Sequence, residues 1–272
     1  SPLTFGPGQA HSTAPPGMNI MGALVPRAYL PMVVNGYPPD FQLGGHVKDL
    51  NLPYADRMHY AGMNWVKTQV TYGEDASDLI AAAHSQDFRI QLTARGSATQ
   101  VTQPGFNEDF AFWVEQLAAA GADAIEVWNE PNIDREWQTG HISPTLYTDL
   151  LCASYAAIKA GNPESLVVSA APMPTSWFGG CTSAGCDDLP WLEGLHAAGA
   201  GACMDYIGAH HTAGATSPSA RIGHPADPTS TDHTWFFLPQ TQLYFSTFNG
   251  THKLFYTEMG YASQEGLPTF SD

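Results

Sequence analysis

The sequence is poor in charge. Asp, Glu, Lys and Arg make up only 13% of its 272 residues, and Lys plus Arg number 10 against 26 acids, a formal net charge of −16. So acidic a chain repels phosphate backbones, which excludes nucleic acid as the expected partner. No run of 18 uninterrupted apolar residues occurs, so no membrane span is expected. Cysteine is scarce, four in all, with no Cys-x-x-Cys and no paired Cys/His spacing of the kind that holds zinc. His-Glu-x-x-His is absent, and so are the glycine-rich phosphate loops G-x-G-x-x-G and G-x-x-x-x-G-K-[ST]. These absences leave no metal or organic cofactor to expect.

What is present suits a folded domain. A hydrophobic share of 43% and an aromatic share of 11% supply a core and argue against disorder, and the length fits one large α/β domain. Cys181 and Cys186 sit in a Gly/Ser/Thr-rich loop and are expected to form a short-range disulfide. Cys152, in a helical pattern, and Cys203, before a strand, read as core fillers. The expected disulfide, the low lysine content and the abundance of Thr, Ser, Gly and Pro point to a secreted protein, extracellular or at the cell surface. The chain opens Ser1-Pro2 with no signal peptide visible. Asn249-Gly250-Thr251 is a glycosylation triplet of a kind that also occurs by chance.

Residues 1–40 are rich in Pro and Gly, with one apolar run at 18–25, and read as an N-terminal arm. From 41 onward short apolar runs alternate with longer amphipathic ones. Strands are expected at 41–47, 64–70, 89–93, 124–128, 166–170, 205–209 and 253–257. Helices are expected near 54–61, 76–86, 108–120, 144–160, 189–198 and 235–248. The strands are near-continuous apolar runs, as in parallel sheets covered on both faces, and strand–helix alternation implies right-handed crossovers. A doubly wound sheet and a (β/α)8 TIM-type barrel both fit the count. The first lacks its glycine-rich turn. The barrel is supported by polar and aromatic residues at the C-terminal ends of the strands: His46, Lys67 to Thr71, Arg95, Asn129, Glu130, His210, His211 and Glu258.

Two segments carry chemistry. Trp128-Asn129-Glu130-Pro131-Asn132 ends the fourth strand with an amide beside a carboxylate, and Tyr256-Thr257-Glu258-Met259-Gly260-Tyr261 ends the seventh with another carboxylate. Two carboxylates at the ends of different barrel strands face one bowl, which is the apparatus of glycoside hydrolysis. One must serve as a protonated acid and the other as an ionised nucleophile.

The fourth- and seventh-strand motifs resemble clan A of the retaining glycoside hydrolases, which includes the cellulase-like family 5 and the xylosidase/iduronidase-like family 39. The resemblance covers about residues 41–262 by strand order. It implies a (β/α)8 barrel, an oligo- or polysaccharide substrate, Glu130 as acid/base, Glu258 as nucleophile, and Asn129 as a ligand of the sugar 2-hydroxyl. His210 matches the family histidine of the sixth strand. Many members carry a tyrosine two residues later, where this chain has Thr212, which leaves His211 or Tyr261 to take that place.

Lys67 and Arg95 follow the second and third strands. They are candidates either to orient the glutamates and bind hydroxyls or to pair with other acids. Trp128, Trp137, Trp177 and Tyr261 are candidate sugar platforms, whereas Trp65, Trp113 and Trp191 fall inside elements and read as core. Two rival functions stand beside the hydrolase. One is a catalytically weak barrel used for glycan binding or as a structural surface module. The other is a metal-dependent hydrolase built on His46, His210 and His211.

A closed barrel needs eight strands, and 14 residues follow Glu258. The barrel of 41–272 is therefore expected to be incomplete at its C-terminus. A longer natural chain, a second chain, or the run 18–25 could fill the gap, and the first is the expectation. Sequence leaves the sugar, the linkage and the oligomeric state open.

Overall fold

A computed structural model describes residues 41–261. Seven strands alternate with six helices: β1 (Leu43–His46), α1 (Ala55–Tyr60), β2 (Met63–Thr71), α2 (Ser77–His84), β3 (Arg89–Arg95), α3 (Phe106–Ala119), β4 (Ala124–Val127), α4 (Pro144–Gly161), β5 (Leu166–Ser169), α5 (Asp188–Ala197), β6 (Tyr206–Gly214), α6 (Phe237–Thr247) and β7 (Lys253–Tyr261). All neighbouring strands pair in parallel, and their spatial order is the chain order, β1 to β7. A doubly wound sheet would reverse its order at a switch point, so this order decides for the barrel, here seven strands and nearly closed. The proposed arm of 1–40, its run 18–25, and the chain after Tyr261 lie outside the described residues.

Period-two alternation sorts each strand's side chains. The outward set meets the helices in the main core, with Val66, Ile90, Ile125, Val127, Val167 and Ile207 against helix residues such as Phe110, Val114, Leu151 and Trp191. In α3 the apolar positions Phe106, Phe110, Trp113, Val114 and Leu117 fall on one helical stripe. The inward set begins with a small apolar layer, Trp65, Ala124 and Val168 with Leu166, Tyr206 and Phe255. Above it the lumen turns polar, with Lys67, Gln91, Thr93, Glu126, His210 and Thr257 all buried. Gly208 lets β5 and β6 meet, because a Cβ there would stand 2.0 Å from the Ser169 carbonyl oxygen.

Two features differ from expectation. β6 and β7 run on to Gly214 and Tyr261, so His210, His211 and Glu258 lie within strands rather than beyond them. Cys152 and Cys203 are not core fillers but a disulfide, because the middle of α4 lies against the 3-10 turn Ala200–Cys203 that leads into β6. Cys181 and Cys186 are bonded as expected, across an isolated antiparallel bridge.

Candidate active site

Glu130 sits on a backbone that leaves β4 sharply. Trp128 and Glu130 have φ of 80° and 41°, a region that costs a non-glycine residue on the order of 1–3 kcal/mol. The turn is held by the Glu130 amide, which donates to Ala171 O at 3.1 Å. The Glu130 carboxylate is 5% exposed. His210 Nδ1 donates to its Oε1 at 3.0 Å and Arg135 Nη2 to its Oε2 at 2.6 Å.

Beside it are two buried polar atoms with no hydrogen-bond partner among the described residues, Asn129 Oδ1 and His210 Nε2. An unsatisfied buried group costs about 1–3 kcal/mol, a penalty that the hydroxyls of a ligand can offset.

Glu258 reaches the lumen through a register break. In the β6–β7 pairing Ala209 matches Tyr256 and His210 matches Glu258, so Thr257 is an extra residue in β7. Strict alternation would send Glu258 to the side of Tyr256, which faces Phe237 and Thr241 of α6. The bulge turns it inward instead. There Lys67 Nζ donates to Glu258 Oε1 at 2.8 Å, Gln69 Nε2 lies at 3.5 Å and His46 Nδ1 at 3.9 Å. Burial pushes the Glu258 carboxyl up, but His210, Lys67 and His46 together outweigh it and hold the group below the ordinary carboxylate range. His46 is itself held low, first by burial and then by Lys67. The two carboxylates thus share His210 as a neighbour and differ in their other contacts.

Several expected site residues lie elsewhere. His211 is adjacent to His210 and so faces the opposite side of β6. Its Nδ1 donates to Gln240 Oε1 of α6 at 2.8 Å, and burial holds its pKa low. Tyr261 stands beside His211, ring centroids 5.8 Å apart, rather than beside Glu258. The His46–His210–His211 trio is therefore not assembled, and among the described residues no three His, Cys, Asp or Glu side chains converge on a metal position. Trp128 is fully buried because its positive φ swings the indole outward, against Phe106, Phe110 and Trp137. Trp137 is buried in the same cluster, its Nε1 donating to His141 O. Neither can be a sugar platform.

Arg95 takes the ion-pair course, with Nη2 3.2 Å from Glu136 Oε2, and touches neither Glu130 nor Glu258. It lines a pocket of about 450 Å³ with Gln69, Thr71, Gly96, Ser97 and Gln100. Trp177 is 87% exposed on the loop after β5.

Sequence reasoning missed Arg135, and it placed Gln69 in the polar end of the second strand without giving it a role. Arg135 lies on a loop with no periodicity to mark it, and the available signal was the scarcity of basic residues, one of which falls five positions after Glu130. The role of Gln69, two residues after Lys67 on the same face of β2, could have been found from alternation.

No family model matches the chain, and no curated protein matches it in sequence. Solved structures do. A monomeric β-xylosidase from Caulobacter crescentus CB15 aligns at 15% identity over 82% of this chain and 52% of its own, with a TM-score of 0.52. A GH39 enzyme from Xanthomonas axonopodis pv. citri aligns at 14% identity over 82% and 51%, TM-score 0.51. An endo-1,4-β-mannanase from Rhizomucor miehei aligns at 14% identity over 85% and 90%, TM-score 0.50. The fold is the (β/α)8 barrel. At such identities the likeness is one of fold, and this chain spans about half the length of the first two enzymes.

Proposed function

We propose that this barrel hydrolyses O-glycosidic bonds of an oligo- or polysaccharide by a retaining double displacement. The observation that carries the reading is the pair of lumen-facing carboxylates, Glu130 after β4 and Glu258 on β7, set in different surroundings, with His210 hydrogen-bonded to the first and acting through its charge on the second. The neighbouring structures, whose names are those of glycosidases, support it.

Glu258, held ionised by Lys67 and His210, attacks the anomeric carbon. The bond to the leaving oxygen breaks, and that oxygen takes the proton of Glu130. Glu130 then removes a proton from water, which attacks the anomeric carbon and releases Glu258. Asn129 Oδ1 accepts from a sugar hydroxyl, and His210 Nε2 contacts another. We assign Trp177 as a platform for a sugar on the leaving-group side. Its loop is tied to that of Glu130 through Asn132, which bonds Met173 and Cys186. Two disulfides support an extracellular setting.

A weakly catalytic glycan-binding barrel is the second reading. It is favoured by one observation: both oxygens of Glu130 already hold a hydrogen bond, from His210 and Arg135, so a glycosidic oxygen has to share one of them. A screen of chromogenic glycosides and of plant, fungal and bacterial polysaccharides, with Glu258→Ala as control, separates the two. Hydrolysis by the wild type and none by the variant is expected. Glycan binding without hydrolysis in both would establish the second reading.

A further inference from the structure

A third carboxylate lies in the lumen beneath the two that the mechanism uses. Glu126, two residues before Trp128, is fully buried. No cation among the described residues pairs with it. Its oxygens accept from three neutral donors: Thr93 Oγ1 to Oε2 at 2.6 Å, Thr257 Oγ1 to Oε1 at 2.7 Å and the Ala171 amide to Oε1 at 3.1 Å. Satisfying a buried carboxylate in this way takes donors from three other strands or their ends, which an apolar side chain would not require.

Two of these donors are informative. Thr257 is the extra residue of the β7 bulge, the feature that turns Glu258 into the lumen. Ala171 is the residue whose carbonyl receives the amide of Glu130. A single oxygen, Glu126 Oε1, therefore grips the bulge behind one catalytic carboxylate and the backbone segment that steadies the other.

We propose that Glu126 is a positioning residue that sets the placement of Glu258 relative to Glu130. The inference rests on the roles assigned to those two residues. Thr93 supplies an internal control, since it donates to the same carboxylate from β3, a strand that bears neither catalytic residue.

The test compares three variants, Glu126→Gln, Thr257→Val and Thr93→Val, with the wild type on whichever chromogenic glycoside the screen identifies. Misplacing reacting groups by about 1 Å costs on the order of a hundredfold in rate. Glu126→Gln is expected to lose about that factor in kcat, with KM changed little because the sugar ligands above it remain. Thr257→Val is expected to lose about tenfold more kcat than Thr93→Val, although Thr93→Val breaks two hydrogen bonds, to Glu126 and from Gln91, against one in Thr257→Val, and should lower Tm more. A kcat loss in Thr93→Val as large as or larger than that in Thr257→Val, following the order of the Tm losses, would overturn the proposal.

Should Glu130→Gln or Glu258→Ala retain full turnover, the underlying assignment fails instead, and the two failures are thus distinct. Crystal structures read the placement without any substrate. In Thr257→Val, which loosens only the bulge side, the Lys67–Glu258 contact is expected to break while His210–Glu130 persists, and an unmoved Glu258 carboxylate counts against the proposal.

Discussion

Lys67 and Glu258 are 191 positions apart in the chain, and their side chains meet at 2.8 Å inside the barrel. The lysine is 7% exposed and the glutamate 27%, so the pair is screened less than a surface ion pair would be. With His210 and His46 it outweighs burial and keeps Glu258 below the ordinary carboxylate range. Lys67→Met removes part of that support, so the Glu258 pKa rises. A nucleophile must be ionised, and the acid limb of kcat/KM against pH therefore moves to higher pH. A charge-assisted hydrogen bond is worth about 1.5–3 kcal/mol, and a rate loss of at least about tenfold at neutral pH is expected. A pH–rate profile whose acid limb stays in place would contradict this assignment.

Arg135 holds Glu130 from solvent. Its side chain is 67% exposed, yet Nη2 lies 2.6 Å from Glu130 Oε2 and Nε 3.3 Å from Glu136 Oε1. Such a pair adds little to stability, about 0–1 kcal/mol, but it fixes one oxygen of the acid/base. Arg135→Ala is expected to lower kcat several-fold while shifting Tm by only a few degrees. Steady-state kinetics beside thermal denaturation check this, and a large Tm loss with unchanged kcat would assign Arg135 to structure alone.

His233 makes stability depend on pH. Burial pushes it down, but the hydrogen bond and charge of Asp188, with the charges of Asp232 and Asp187, raise its pKa above the ordinary value. Asp188 is fully buried and also accepts from Tyr244, which meets Gln240 behind His210. A raised histidine pKa stabilises the fold in full below its unfolded value, about 6.5, and that contribution is lost as pH rises through the folded value. Urea unfolding of wild type and His233→Gln should therefore differ more at pH 5.5 than at pH 9. A constant difference would mean that the His233–Asp188 contact does not depend on the proton.

The disulfides differ in how much chain they close, with sequence separations of 51 and 5. In the chain-entropy account, removing Cys152–Cys203 costs roughly 4 kcal/mol and removing Cys181–Cys186 about 2 kcal/mol. Paired serine substitutions followed by urea titration measure both. The reverse ranking would show that the short loop is the greater constraint.

Much of this architecture was legible because it rests on local pattern. The seven apolar runs became seven parallel strands, since burial on both faces forces the pattern that announces them. Strand-end positions drew attention to Glu130, Glu258, Asn129, His210 and Lys67, and the folded chain brings these around one lumen. What was not legible depends on departures from period two or on distant partners. The positive φ at Trp128 removed an indole from the bowl and buried it in the helix layer. The bulge at Thr257 gave β7 two consecutive inward residues, which no alternation rule anticipates. His211 follows His210 directly and so points outward to Gln240, which keeps it from taking the tyrosine's place beside Glu258. Cys152 and Cys203 meet through the packing of α4 against the approach to β6, a tertiary fact without a local sign. Arg135 has no periodic context at all.

The central claim is that Glu258 forms a covalent bond to sugar. The most direct measurement is intact-protein and peptide mass spectrometry after incubation with activated 2-deoxy-2-fluoro glycosides of the xylo, manno and gluco series, which slow release of the intermediate. The account predicts one added fluoro-sugar per chain, on the peptide that contains Glu258, and no label in Glu258→Ala. Hydrolysis of the parent glycosides without any label at Glu258, or a label on another residue, would contradict it.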